Sequence, residues 1–180
     1  MTTILLVRHG ETDWNVERRV QGHTDRPLND TGRAQAVALA DTLEGKQIDA
    51  IYSSDLLRAY ETARIVAERR SLGVTIVPEL RERDFGTWEG LTDEEILERF
   101  PHARTGAWGD AETKEQMTER VHAALEQIAT EHPDGNVLVI THGGPVRVLL
   151  AGCGRDGKGS IGNCAVYELG FRDGAFLAID

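Results

Sequence analysis

The sequence predicts an α/β fold, a three-layer α/β/α sandwich around a mostly parallel central sheet. Short apolar runs that are typical of buried strands alternate along the chain with longer segments whose apolar residues recur at helical spacing. Glycine and proline residues separate the two kinds of segment. The chain has 180 residues, enough for one substantial core but too few for two, and it shows no internal repeat or linker. A single domain over residues 1–180 is therefore expected.

The strands are predicted from short apolar runs. The first run, residues 4–7, is wholly apolar and is typical of a strand that is buried on both faces. The other predicted strands are residues 48–52, 74–77, 137–140, 164–169 and 175–179. The last two are joined by Arg172-Asp173-Gly174, which is typical of a hairpin turn.

The helices are predicted from apolar residues spaced three and four apart. Asn29 suits the N-cap of a helix that extends to about residue 43. The apolar stripe of this helix is Ala36, Leu39, Ala40 and Leu43. The stripe of the next helix is Leu56, Ala59, Tyr60, Ala63 and Ala67. That of a later helix, which ends before Pro133, is Met117, Val121, Ala124, Leu125 and Ile128.

The remaining segments give weaker predictions. Residues 93–100 predict a short helix, and a last helix begins at residue 143 with Pro145 at its first position. Residues 13–26 and 102–113 show no helical or strand period, and an irregular course is expected for both.

The composition excludes several classes of protein. With 20 basic against 30 acidic residues the net charge is −10, which argues against nucleic acid as a partner. An anionic substrate would need a locally basic pocket. No apolar run approaches the roughly 20 residues that span a membrane, and the first residues do not resemble a signal peptide, so no membrane partner and a cytoplasmic location are expected. Cys153 and Cys164 are expected to be free thiols.

Polar residues follow the predicted strands at points that should meet. These segments are residues 8–10, residues 53–55 with Arg58 beyond them, residues 81–83 and residues 142–144. Ligands of open α/β sheets bind at the carboxyl ends of parallel strands, so we expect the four segments to face one pocket. A cation buried beside an imidazole is costly unless an anion is present, and a glycine such as Gly10 allows close approach of backbone to a ligand.

The residue types in this pocket suit phosphoryl transfer. Arginine side chains such as Arg8 and Arg58 bind phosphate oxygens in two-point fashion. A neutral imidazole nitrogen can attack phosphorus, and a carboxylic acid can protonate the departing alkoxide and then activate water. A helix starting near Gly143 would add backbone donors. Because arginines supply the electrostatic stabilisation, neither a metal nor another cofactor is required.

The motifs resemble those of the histidine phosphatase superfamily, the clan of cofactor-dependent phosphoglycerate mutases and their phosphatase relatives. The similar segments are residues 6–12 with Asn15, residues 21–22 and 25–28, residues 53–59, residues 80–82 with 85–90, and residues 141–144. They occur in the same order as in the family and cover the chain nearly from end to end. The resemblance implies the phosphoglycerate mutase-like fold.

The resemblance also implies roles for individual residues. His9 would be the nucleophile that becomes phosphorylated, and Glu82 would be the general acid and base. Three side chains would hold the phosphate: Arg8, Arg58 and His142. The resemblance assigns the remaining substrate contacts to Asn15, Gln21, Gly22 and the backbone of Gly143.

The predicted function is a metal-independent phosphomonoesterase of the histidine acid phosphatase type, acting on a small phosphorylated metabolite. The alternative is a cofactor-dependent phosphoglycerate mutase. The family's mutases carry a longer insertion between the acid and the second histidine, and it contains two consecutive arginines. Here the corresponding segment, residues 83–141, is short and contains no such pair. A non-catalytic anion-binding module is less favoured because His9 and the acid are both present.

Several assignments stay open at this level. Arg58 could instead pair with Asp55 or Glu61. The acids that compete with Glu82 for the catalytic role are Glu79, Asp84 and Glu89. The aromatic residues that could line a substrate pocket or pack in the core are Phe85, Trp88 and Trp108. Substrate identity, oligomeric state and the roles of Arg83, Arg104 and Arg147 are not predicted. Structural roles are expected for the remaining histidines, which are His23, His102, His122 and His132.

Overall fold

The computed structural model describes residues 1–102, 110–155 and 159–179. Its sheet has six strands in the order β3-β2-β4-β1-β5-β6. The strands are β1 (Thr2–Arg8), β2 (Ala50–Ser53), β3 (Val74–Ile76), β4 (Asn136–Thr141), β5 (Val166–Arg172) and β6 (Ala175–Ala178). The first four in this spatial order run parallel, and β5 and β6 are antiparallel to their neighbours. The predicted mostly parallel sheet is confirmed.

Six α-helices accompany the sheet among the described residues. They are α1 (Asp13–Val16), α2 (Asp30–Thr42), α3 (Leu57–Arg70), α4 (Asp93–Arg99), α5 (Lys114–Glu131) and α6 (Gly143–Gly152). Short 3₁₀ turns occur at Pro78–Leu80 and Gly86–Trp88. None of the helices in the described part of the chain is both long and apolar enough to cross a bilayer.

Alternate residues of β1 face two separate apolar clusters, which places the sheet between two helix layers. Ile4 and Leu6 pack with the apolar faces of α5 and α6. Leu5 and Val7 pack with those of α2 and α3 on the other side. This period-two alternation is the expected geometry of a strand buried on both faces, and it confirms the three-layer α/β/α sandwich.

The predicted stripe of α2 is confirmed, whereas one residue of the α3 stripe was assigned to the wrong face. Asn29 caps α2 by accepting a hydrogen bond from the Gly32 amide. Tyr60 was predicted to be buried but is 38% exposed. The buried face of α3 is rotated towards Arg58 and Thr62, polar residues that a stripe of apolar residues alone does not include.

Two local predictions are corrected by capping geometry. The segment 13–26 was expected to be irregular, but it begins with α1, where Thr12 and Asn15 form a reciprocal capping box. Pro145 was expected at the first position of α6 but occupies the third, because His142 is the N-cap residue. A proline is tolerated there since the first amides of a helix have no intrahelical acceptor.

The predicted hairpin is confirmed at the end of the chain. Asp173 and Gly174 join β5 to β6 with φ angles of 54° and 77°. Two consecutive positive φ values are typical of a two-residue turn whose twist matches the strands it joins. The predicted irregular segment 102–113 lies partly outside the described residues, and so do Arg104 and Trp108.

Candidate active site

The sheet brings the two strand-end histidines together. β1 and β4 are adjacent and parallel, with Arg8 opposite Thr141, so His9 and His142 leave the same edge side by side. Their ring centroids are 5.1 Å apart, with 60° between the ring planes. The side chains are 3% and 0% exposed respectively, so water has almost no access to either ring.

His9 has one ring nitrogen held by the backbone and the other available for chemistry. Its Nδ1 lies 2.6 Å from the Gly10 carbonyl oxygen. A carbonyl can only accept, so Nδ1 carries the proton and Nε2 keeps its lone pair. Burial, followed by the charges of Arg58 and Arg8, holds the pKa of His9 well below its usual value. The ring is therefore neutral near pH 7, as a nucleophile must be.

Arg8 reaches across the start of α6. Its Nη1 donates to the Ile161 carbonyl at 2.5 Å. A side chain on Gly143 would begin 3.6 Å from Arg8 Nε, so the helix start and the guanidinium are in contact range. Burial lowers the pKa of Arg8, partly offset by the negative charge of Glu82.

Arg58 is fully buried and is oriented by two backbone carbonyls. Nη1 donates to Thr24 at 3.0 Å and Nη2 to Gly22 at 2.7 Å. Burial lowers its pKa to about 10, which leaves the guanidinium charged at neutral pH. The loop that contains Gly22 therefore fixes the direction of this cation.

The alternative ion pairs for Arg58 are not formed. Asp55 instead binds Arg81 through both carboxylate oxygens. Glu61 binds Arg33, with 2.8 Å between Arg33 Nε and the carboxylate. Both acids are thus already paired, and Arg58 points into the site.

His142 is buried against a serine that follows β2. Its Nε2 lies 2.9 Å from the Ser54 hydroxyl oxygen. Burial, followed by the charge of Arg58, keeps the pKa of His142 well below its usual value. The neutral ring holds only one proton, so the direction of the Ser54 hydrogen bond decides which nitrogen can donate to a ligand.

Three buried side-chain nitrogens have no hydrogen-bond partner among the described residues. They are Arg8 Nε, Arg58 Nε and His142 Nδ1. Buried polar atoms are rarely left unpaired, because each forfeits its hydration without compensation. Arg8 and His142 lie at strand ends, Arg58 lies in the first turn of α3, and the two arginines carry positive charge. The two guanidinium nitrogens, and His142 Nδ1 when it carries the ring proton, can donate hydrogen bonds to an anion with several acceptor oxygens.

Glu82 lies at the amino end of α6. Its Oε2 accepts a hydrogen bond from the Gly144 amide at 3.0 Å, and its Oε1 accepts one from the Arg83 amide at 2.8 Å. The positive end of the helix dipole favours a carboxylate at this position. Glu82 also interacts electrostatically with both Arg8 and Arg58, so the acid faces the cationic pocket.

Two of the three competing acids, Glu89 and Asp84, have other partners. Glu89 accepts hydrogen bonds from the amides of His23, Thr24 and Phe85 and from the Thr24 hydroxyl. Asp84 accepts one from the Gly86 amide. Glu89 therefore ties two loops together.

Asn15 and Gln21 meet through Thr12, and in the described part of the chain neither is hydrogen-bonded to His9 or His142. The Asn15 carboxamide oxygen accepts from the Thr12 amide at 3.1 Å. Thr12 in turn donates its hydroxyl to the Gln21 carboxamide oxygen at 3.0 Å. The predicted substrate contacts of Asn15 and Gln21 remain predictions, since both side chains serve the loop in this structure.

Gly10 allows close packing at the end of β1. A Cβ at this position would lie 2.5 Å from the Gly32 carbonyl oxygen. The glycine is thus needed for close packing of the strand end against the start of α2, and close approach of its backbone to a ligand stays a prediction.

The sequence assigns no individual role to several residues of the site. Ser54 lies in the predicted pocket segment 53–55, and its hydroxyl is within hydrogen-bond distance of His142. Asn163 donates to the His9 carbonyl at 2.9 Å, and the Cys164 amide donates to the Arg8 carbonyl at 2.9 Å. These two residues follow a glycine-rich connection that carries no motif of its own, so only the fold reveals them.

Contacts within the described part of the chain account for Trp88, His122 and His132. Trp88 is 5% exposed and belongs to the core rather than to an open pocket wall. His122 packs edge-on against Phe176, and His132 lies 2.9 Å from the Tyr52 hydroxyl. In the described part of the chain, no group of three or more histidine, cysteine and acidic residues is arranged to hold a metal ion.

Comparison with known proteins places this geometry in a family. The model of the histidine phosphatase superfamily (branch 1) matches residues 4–179. The metal-independent phosphoserine phosphatase of Arabidopsis thaliana is 38% identical, over 96% of this chain and 78% of its own length. Phosphoglycerate mutase-like protein 4 of the same plant is 42% identical, over 81% of this chain and 68% of its own.

A solved structure agrees with these sequence matches. Bacillus stearothermophilus YhfR superposes with a TM-score of 0.91 and 33% identity, covering 99% of this chain and 95% of its own. The match to the family model, the identity to both relatives and the shared fold lead to one conclusion. The chain belongs to the histidine phosphatase superfamily, branch 1.

Proposed function

We propose that this protein is a phosphomonoesterase that hydrolyses a small phosphorylated metabolite through a phosphohistidine at His9. The observation that carries the proposal is the set of three unpaired buried nitrogens, on Arg8, Arg58 and His142, around a neutral imidazole. A phosphoryl group offers several acceptor oxygens and negative charge, which would satisfy these donors together. Membership of a family with phosphatase relatives supports the same reaction class.

In the first step His9 Nε2 attacks phosphorus, and the bond from phosphorus to the substrate oxygen breaks. Glu82 gives its proton to the departing oxygen, so that an alcohol leaves instead of an alkoxide. Arg8, Arg58 and His142 stabilise the charge on the three non-bridging oxygens. The orientation of these donors is set before the substrate arrives, so little reorganisation is required.

In the second step water replaces the alcohol. Glu82, now ionised, takes a proton from the water as its oxygen attacks phosphorus and the bond to His9 Nε2 breaks. Inorganic phosphate leaves, Glu82 is protonated again and His9 is again neutral. No metal ion takes part, because the two arginines and the amino end of α6 provide the positive charge.

A phosphoglycerate mutase is the second candidate, favoured by the mutase-like relative. A mutase must keep its intermediate from water, which calls for further cationic contacts. The absence of an adjacent arginine pair between residues 83 and 141 supports hydrolysis. A coupled assay that follows both phosphate release and transfer to phosphoglycerate separates the two activities.

The proposal is tested by hydrolysis of p-nitrophenyl phosphate and of a panel of physiological phosphomonoesters, with and without a chelator. Turnover that is insensitive to the chelator is expected. The phosphorylated intermediate should be trapped on His9 by acid quench, and His9→Ala should abolish turnover. Absence of turnover on every ester would favour a non-catalytic anion-binding module, and phosphate on another residue would refute the assigned nucleophile.

A further inference from the structure

The backbone of Glu82 is held from two sides. Its carbonyl oxygen lies 2.9 Å from His23 Nε2 and accepts a second hydrogen bond, of 3.2 Å, from Arg120 Nη2. Residues 81–85 belong to no helix or strand. The position of the carboxylate therefore depends on side chains that reach this segment from elsewhere in the fold.

Arg120 makes most of these contacts. From α5 its Nη1 donates to the carbonyl oxygens of Glu79 at 2.6 Å and Arg81 at 3.1 Å. Together with the bond to Glu82, one guanidinium binds three carbonyls of the segment that leads to the acid. Arginine suits this task because its five donors lie in one rigid plane.

Glu112 fixes Arg120 and continues the support on the other side of Glu82. Its carboxylate accepts from Arg120 Nε at 2.9 Å and Nη2 at 2.8 Å. The same carboxylate accepts from the Asp84 amide at 3.1 Å, and the Glu112 carbonyl accepts from Arg83 Nε at 2.6 Å. Arg120 thus holds residues 79–82, while Glu112 holds residues 83 and 84.

We propose that Arg120, fixed by Glu112, is a positioning residue that sets the Glu82 carboxylate for proton transfer to the leaving group. This inference rests on the proposed function, in which Glu82 is the general acid. Proton transfer requires the acid within hydrogen-bond reach of the leaving oxygen, and small displacements of a catalytic group are costly to rate. Arg120 itself acts only through Glu82.

The nature of the leaving group distinguishes this role from a general structural one. p-Nitrophenol is acidic and leaves without a proton, whereas an alkyl alcohol must be protonated as it leaves. Since kcat/KM reports on steps through the first irreversible one, it measures leaving-group departure. Damage to the position of Glu82 should lower kcat/KM for an alkyl phosphate far more than for p-nitrophenyl phosphate.

The experiment compares Arg120→Met with Glu82→Gln on these two substrates. For Glu82→Gln we expect kcat/KM for the alkyl ester to fall about 100-fold more than for the aryl ester. Arg120→Met should show the same selectivity, with a differential of about tenfold. Glu112→Gln should likewise lower kcat/KM more for the alkyl ester than for the aryl ester. It provides a second test of the proposal if Arg120→Met fails to fold. Arg64→Met, on the surface of α3 where Arg64 pairs with Glu68, is the matched control and should change neither value.

The outcomes separate the two claims. Equal losses on both esters in Arg120→Met and Glu112→Gln, beside a selective loss in Glu82→Gln, would overturn the positioning role and leave the proposed function standing. Equal losses in Glu82→Gln would instead refute Glu82 as the acid. Selective losses in all three variants would support the proposal.

Discussion

Glu82 and Gly144 share one small volume at the start of α6. The Gly144 amide donates to Glu82 Oε2 at 3.0 Å, while a Cβ on Gly144 would lie only 2.1 Å from Oε1. The acid can therefore occupy its place only while residue 144 lacks a side chain.

Gly144→Ala is accordingly expected to lower activity while the protein stays folded. The added methyl group would displace the Glu82 carboxylate, so kcat for an alkyl phosphate should fall by about 100-fold, the order of a lost general acid. Steady-state kinetics beside a thermal melt measure both quantities. Gly152→Ala is the matched control in the same helix, because its Cβ would meet nothing within 4 Å. Equal activity of the two variants would contradict the shared volume.

Gly22→Ala should weaken phosphate binding. Gly22 has a φ of +52°, and a Cβ there would lie 1.9 Å from Glu89 Oε1, so the loop must move together with the carbonyl that holds Arg58. KM for p-nitrophenyl phosphate and the inhibition constant of inorganic phosphate should both rise by about tenfold, as expected for loss of about 1.4 kcal/mol of binding.

Gly45→Ala provides the control for this variant. Gly45 also has a positive φ, +79°, but a Cβ there would meet nothing within 4 Å. Gly45→Ala should reproduce the backbone strain of Gly22→Ala without displacing a neighbouring side chain. If Gly45→Ala weakened phosphate binding equally, the contact with Glu89 would not be the cause.

Ser54→Ala should change the tautomer of His142. If the Ser54 hydroxyl donates to Nε2, the ring proton stays on Nδ1, which can then donate to a phosphate oxygen. Without the hydroxyl this preference is lost, and kcat/KM should fall by about tenfold, the order of a weakened oxyanion donor. Nitrogen-15 NMR of the imidazole reads the tautomer directly. Ser53→Ala, which removes the neighbouring buried hydroxyl, should leave the spectrum of His142 unchanged, and an unchanged spectrum in Ser54→Ala would refute the assignment.

Stability should decrease as the solution becomes acidic. Burial holds the pKa values of His9 and His142 below the ordinary value of 6.5 in the folded state, so below that pH the unfolded chain binds protons that the folded chain does not. The free energy of unfolding is then highest above pH 6.5 and falls by up to about 1.4 kcal/mol per pH unit for each ring, until the folded pKa is reached. Urea unfolding between pH 7.5 and 5 measures this slope. His9→Gln should reduce this slope by the contribution of one imidazole. An equal slope in the wild-type protein and in His9→Gln would contradict a neutral His9.

The strand ends were predictable because parallel strands have a common polarity. Arg8-His9-Gly10 and His142-Gly143-Gly144 could be assigned to one edge from apolar runs alone. The sequence could not predict that β1 and β4 are direct neighbours, because apolar runs of similar composition do not specify strand order. The resemblance of motifs supplied the predicted substrate contacts of Asn15, Gln21 and Gly22, which spacing alone left unassigned.

The support of the site was not predictable from local signals. Arg120 belongs to a helix whose apolar spacing predicts which residues are buried but not what its polar residues contact. Glu112 precedes that helix in a segment with no helical or strand period. Their contact with residues 79–84 is a product of tertiary packing. The prediction that Tyr60 is buried was wrong for a related reason: the buried face of α3 includes Arg58 and Thr62, although both are polar.

The central position of β1 has a consequence for synthesis of the protein. β1 ends at residue 8, and its two partners in the described sheet are β4 and β5, which begin at residues 136 and 166. On the ribosome this apolar strand is made before both of its partners and must then remain unpaired while more than a hundred further residues are added. An unpaired apolar strand promotes aggregation, and pairing across such a separation is slow. Low expression temperature or chaperone support should therefore increase the yield of native protein. Refolding should be slow, with the pairing of β1 with β4 and β5 as the rate-limiting step.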